Sequence, residues 1–160
     1  MTTEPPLRHL IRRYAQPGEV MWIGERPARR APIAELDRAE ITDAGLAEVH
    51  QPRPGKRAVT LIQWEHLPAI AALAGRESGT PDLLRRNIAV ARFNLVALRG
   101  REFRLGTALL KGTGPCAPCS RMEEAPGQGG YAAMRGHGGI TAEVIEPGAV
   151  ALGDAFTPLD

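Results

Sequence analysis

With 160 residues, 43% of them hydrophobic and 24% charged, the chain has the balance of a globular protein long enough to bury a core, and it reads as one domain over 1–160. A net charge of +2 is too small to specify nucleic acid, and no apolar run approaches the ~18 residues of a membrane span, so neither is an expected partner. The N-terminal MTTEPPLRHLIRRYAQPGE has scattered charges and no apolar centre, so it is not read as a secretory signal; two cysteines without one point to a reducing cytoplasm and to free or ligating thiols.

Aromatic residues are only 4% of the chain, so the core must rest on Leu, Ile, Val and Ala. Only Lys56 and Lys111 are lysines, which leaves 18 of the 20 basic residues as arginine. GC-rich coding explains such a bias. Arginine is also the side chain whose planar fork holds phosphate or carboxylate.

Residues 1–17 are polar and proline-bearing, a flexible extension with one short helical segment, LRHLIRRYA. Residues 19–23 (EVMWI) read as a first strand, closed by Gly24 and Pro27, and 26–36 (RPARRAPIAEL) as an arginine cluster in a solvated loop. Residues 37–49 fit either a strand with a turn at Asp43-Ala44-Gly45 or a short helix, and 51–56 (QPRPGK) must be loop. The β-branched run 58–62 (AVTLI) predicts a buried strand. It leads into 64–74 (WEHLPAIAALA), apolar at helical spacing and ended by Gly75, with a start as late as Leu67 because of Pro68.

Residues 81–86 (PDLLRR) carry the marks of a short helix, and 87–90 (NIAV) those of a strand. Four more strands follow at 103–105, 108–111, 141–145 and 149–152, separated by turns at Arg99-Gly100-Arg101, Leu105-Gly106-Thr107 and Glu146-Pro147-Gly148. The glycine-dense 126–139 can hold one short helix at 131–135. Short strands joined by glycine turns, with two modest helices, predict a mainly β fold: a closed, mostly antiparallel barrel.

Chemistry concentrates in 112–123, GTGPCAPCSRME, which holds both Cys116 and Cys119. Pro115 and Pro118 argue for a shaped loop rather than a strand or helix interior. Three uses are open. A zinc site would need two of His50, His66 and His137 to converge on the thiols. A redox dithiol would need a helix behind the motif, which the prolines and the polar SRMEEAPGQGG oppose. A single thiolate, favoured by the neighbouring Arg121, could be a soft metal ligand or a persulfide carrier.

Several segments together resemble the MOSC domain, the module named for the C-terminal part of molybdenum-cofactor sulfurases, in its small stand-alone bacterial form. They are VTLIQWEHL (59–67), LLRRNIAV (83–90) with its Arg-x-Asn, the strand pair leading to the cysteines (95–123), and GHGGITAEVIEPGAVALGD (136–154). The resemblance is clearest over 59–154. It implies a β-barrel that binds the pterin-based molybdenum cofactor and, in some members, reduces N-hydroxylated bases or amidoximes with electrons from a separate donor. It assigns Cys119 as catalytic residue and metal ligand, Arg85 with Asn87 to the cofactor's phosphate, Arg121 to the surrounding positive field, and Cys116 to a neighbouring role. A carrier without turnover, with a persulfide on Cys119 filled by a sulfur donor protein, is the alternative. A barrel whose cysteines are structural or zinc-binding is the third reading. One departure from the family pattern is plain: the expected Gly-Leu-x-Gly-Asp-Arg loop is GLAEVH (45–50) here, without its second glycine and aspartate.

Overall fold

Residues 3–26, 28, 32–47, 54–77, 85–117 and 128–159 are described by the computed structural model. At its centre, β5 (Val59–Gln63) and β6 (Ile88–Ala91) lie side by side in parallel. Parallel neighbours need a crossover rather than a hairpin. On that crossover sits α2 (His66–Leu73), with Pro68 in its first turn, where the missing N–H has no helical partner to lose. Successive β5 side chains point to opposite faces: Leu61 enters the main core, and Ile62 joins Trp22, Leu67, Ile70, Ala89 and Met134 in a smaller cluster. A strand covered on both faces is apolar throughout, and all four residues of β6 (IAVA) are buried.

The other pairings are antiparallel. The large sheet runs β11 (Ala155–Phe156), β1 (Gly18–Glu25), β6, β5, β9 (Ile140–Glu146), β8 (Ala108–Pro115), β7 (Glu102–Leu105), and β2 (Ala34–Glu35) pairs with β1. A smaller sheet sets β3 (Arg38–Thr42) between β10 (Gly148–Ala151) and β4 (Gly45–Leu46). The ambiguous stretch after residue 37 is therefore strand, turn, strand. Its alternation buries Ala39 and Ile41, which join Leu46 and Val150 in the main core.

The sheet curls into a half-barrel, and this corrects the expectation of a closed one. Its end strands β7 and β11 share no ladder. An isolated bridge between Phe103 and Pro158, with the Leu159 N–H donating to the Glu102 carbonyl at 2.9 Å, is what joins the two edges. Rings fill that seam. Phe93, Phe156 and Phe103 follow one another at centroid spacings of 5.6 and 5.9 Å, and Tyr14 of the N-terminal arm packs against Phe93 in a tilted pair at 5.7 Å. The chain's few aromatics are thus concentrated where the sheet fails to pair.

The arm contains α1 (Leu7–Leu10) and lies against the body. The Arg101 guanidinium donates to the Ile11 and Arg12 carbonyls at 3.4 and 3.2 Å. The short α3 (Gly130–Met134) falls where the glycine-dense stretch allowed one, whereas β2, β11 and a 3-10 turn at Leu95–Leu98 had no clear sequence signal. Of the expected helix at 81–86, residues 81–84 lie outside the described residues, and Arg85 has φ +56°, so the described end is not right-handed helix. Pro27, Arg29 and Arg30 of the arginine cluster, residues 48–50 of GLAEVH and 51–53 of the following loop also lie outside them. Among the described residues no helix is long and apolar enough to cross a membrane.

Candidate functional site

The thiols are delivered by the end of β8. Residues 112–115, expected as loop, are strand: Gly112, Gly114 and Pro115 pair with Ala142, Thr141 and Ile140 of β9. Tertiary pairing overrides the local glycine and proline signal, and Pro115 is tolerated as the last residue of the ladder. Two residues of β8 advance against one of β9 at Thr113, a bulge of the kind that re-aims a chain beside functional sites. The Thr113 hydroxyl donates to the Lys56 carbonyl at 2.6 Å and lies 2.7 Å from the Thr141 hydroxyl. Cys116 follows directly, a free thiol only 4% exposed, and its N–H donates to the Gly139 carbonyl at 2.8 Å.

Arg86 ties this segment to the start of β6. It is 5% exposed, and its Nε donates to the Gly138 carbonyl at 2.7 Å while one terminal nitrogen reaches the Cys116 carbonyl at 3.4 Å. A guanidinium removed from water needs such acceptors. Glycine is required opposite it, because a Cβ at Gly138 would collide with the Cys116 carbonyl oxygen and crowd the guanidinium. Gly139 has φ +86° and lies so close to the Leu61 carbonyl that a side chain there has no room.

Of the residues expected at the site, Arg85 and Asn87 flank this buried arginine. Asn87 is committed to the scaffold: its Oδ1 accepts from the Thr60 N–H (3.0 Å) and hydroxyl (3.1 Å), and its own N–H donates back to that hydroxyl. It locks the start of β6 to β5. Arg85 is half-buried with left-handed backbone, rare for a residue with a side chain. Cys119 and Arg121 lie outside the described residues. The residue the sequence reading passed over is Arg86. It stands two residues ahead of a strand that is buried on every residue, a position where a charge drawn inward needs internal acceptors.

Two histidines also meet here. His66, first residue of α2, and His137, next to Gly138, stand edge to face with ring centroids 5.0 Å apart. The Nδ1 of His137 is buried without a hydrogen-bond partner. Burial and then the field of His137 hold the His66 imidazole below its ordinary pKa, with Glu65 opposing, so it favours the neutral form. For Glu65 itself burial acts upward, but hydrogen bonds from Gln63 and the Arg92 N–H outweigh it and the carboxyl titrates lower than usual. The zinc reading needed two of three histidines to converge. His66 and His137 meet each other, His50 lies outside the described residues, and among the described residues no three His, Cys, Asp or Glu side chains gather as a metal cage.

Comparison with known proteins gives a consistent result. Among solved structures, the YuaD protein of Bacillus subtilis is similar at TM-score 0.76 and 17% identity, over 88% of this chain and 94% of that one. YiiM of Escherichia coli is similar at TM-score 0.72 and 19% identity, over 91% of this chain and 71% of that one. YiiM of Geobacillus stearothermophilus gives 0.72 and 16%, over 90% and 76%. At these identities the likeness speaks for the fold. No curated protein sequence matches the chain. The MOSC domain family matches residues 37–157, starting upstream of the motifs first seen at 59 and taking in the small β10–β3–β4 sheet. That match spans well over half the chain, which therefore belongs to the MOSC-domain family.

Proposed function

We propose that this MOSC-domain chain binds the pterin-based molybdenum cofactor and reduces N-hydroxylated small molecules, with the Cys119 thiolate as the protein ligand of the metal. One observation carries the reading. Arg86 joins two segments remote in sequence, the Arg85–Asn87 stretch and the segment opening the thiol loop, by holding the Cys116 and Gly138 carbonyls with one buried guanidinium. The donors suit such a cofactor: thiolate sulfur is soft, as molybdenum prefers, and fixed guanidiniums suit a phosphate. A metal that arrives chelated in an organic cofactor also needs fewer protein donors than a bare ion.

The bound cofactor supplies the redox chemistry, and the protein positions it. Cys119 holds it, and Arg85 and Arg121 offset its negative charge. Cys116 braces the loop from within, and Asn87 fixes the β5–β6 junction beside Arg85. Electrons come from a separate donor in a reducing cytoplasm.

Metal analysis of protein made in a molybdenum-replete host tests this. The expected result is roughly one molybdenum per chain, lost in Cys119→Ser while the chain stays folded. A persulfide mass on Cys119 without metal replaces the enzyme reading with a sulfur carrier, and stoichiometric zinc overturns both.

A further inference from the structure

The strand that delivers the thiols also borders an open cleft, and Lys111 lies ~16 Å of extended strand before Cys116. Arg12 of the arm, Gly100, Arg101, Glu102, Lys111 and Leu159 line a volume of about 470 Å³. That is the size of a small-molecule site. Three cationic residues and Glu102 are among the lining residues, and Glu143 stands beside Lys111 on the other neighbouring strand. Arg101 is engaged in holding the Ile11 and Arg12 carbonyls, which fixes the arm as one wall of the cleft. Among the described residues, neither the Arg12 guanidinium nor the Lys111 ammonium enters an ion pair. Glu102 and Glu143 flank Lys111 across the adjoining strands without closing on it. Leu159, 54% exposed, adds an apolar lip.

We propose that this cleft binds a small phosphate ester, with Arg12 and Lys111 contacting the phosphate and Leu159 covering the apolar body. A phosphate oxyanion suits the remaining excess of positive charge over Glu102 and Glu143, and both uncommitted cations are phosphate-binding groups. The proposal is independent of whether the thiol end holds a cofactor.

Calorimetric titration of the full chain with phenyl phosphate at low salt, alongside inorganic phosphate, tests it. The expected result is saturable binding, tighter for the ester, weakening as salt rises. Amide shifts should concentrate at Arg12, Gly100, Lys111 and Leu159. Arg12→Gln with Lys111→Gln should weaken binding by at least about tenfold, the worth of a lost charged hydrogen bond. Lys111→Met, which keeps the half-buried stem, should act in the same direction. Arg104→Gln, whose native guanidinium pairs with Glu146 at 2.9 Å and is not among the lining residues, should bind as the wild type does. Absence of saturation up to ~10 mM, a total free energy below about 3 kcal/mol, overturns the proposal. So does undiminished binding in the double variant, or an equal loss in Arg104→Gln. Inorganic phosphate binding as tightly as the ester would remove the ester assignment.

Discussion

Arg86 and Arg101 make the same kind of contact at two very different places. Each guanidinium donates to two backbone carbonyls, of Gly138 and Cys116 in one case and of Ile11 and Arg12 in the other. Arg86 is sealed from solvent, so water cannot take over if it is lost. Arg101 is half-buried with its Nε enclosed, but its two bonds to the arm lie at the surface, where water can replace them. One pattern therefore serves as internal scaffold at the thiol end and as a releasable clasp at the cleft end. Burial, rather than bond count, decides which.

Breaking the scaffold should have the largest effect. Arg86→Met leaves the Cys116 and Gly138 carbonyls buried without donors and should cost about 3 kcal/mol in urea denaturation. It should also make the buried Cys116 thiol react faster with a thiol reagent in the native state. A loss under ~1 kcal/mol would erase the distinction between the two arginines. Releasing the clasp should do less. Arg101→Gln is expected to cost no more than about 1 kcal/mol, yet to speed tryptic cleavage at Arg12 and Arg13 severalfold. Global destabilisation equal to that of Arg86→Met would count against a separable arm.

The smallest effect concerns pH. Because the folded His66 imidazole titrates below its ordinary value, the unfolded chain takes up a proton first as pH falls. Stability from this group is intact above the ordinary histidine range and declines as pH drops through it toward the lowered folded value. His137→Gln removes the second of the two causes, so the His66 resonance followed by NMR should titrate higher than in the wild type. An unmoved resonance would mean that the edge-to-face pair is not electrically coupled.

Much of the fold was legible because its signals are local. Gly106 turns the β7–β8 hairpin, and the runs AVTLI and NIAV, expected as strands, coincide with β5 and β6 to within a residue. The closed barrel was not legible, because closure depends on whether β7 meets β11. That question is settled by two residues of β11 and a row of phenylalanines far apart in sequence. The strand at residues 112–115 was hidden for the opposite reason: its glycines and proline read as loop until β9 supplies partners. At the candidate site the Arg-x-Asn motif marked a segment that also carries the buried Arg86, and a pattern cannot say which of two adjacent arginines turns inward. Cys119 and Arg121 still rest on the family resemblance.

The pairing of β1 with β11 sets an order on folding. Glu19 finds Ala91 on one side, but its partner on the other is Ala155, far along in sequence. Contacts this distant in sequence are slow to form, and until they do the first strand keeps an open edge. The same late segment brings Phe156 against Phe93 and Phe103. A chain still being synthesised therefore holds an unfinished seam until residues 155 and 156 emerge, and these two act as the latch that completes this edge of the sheet.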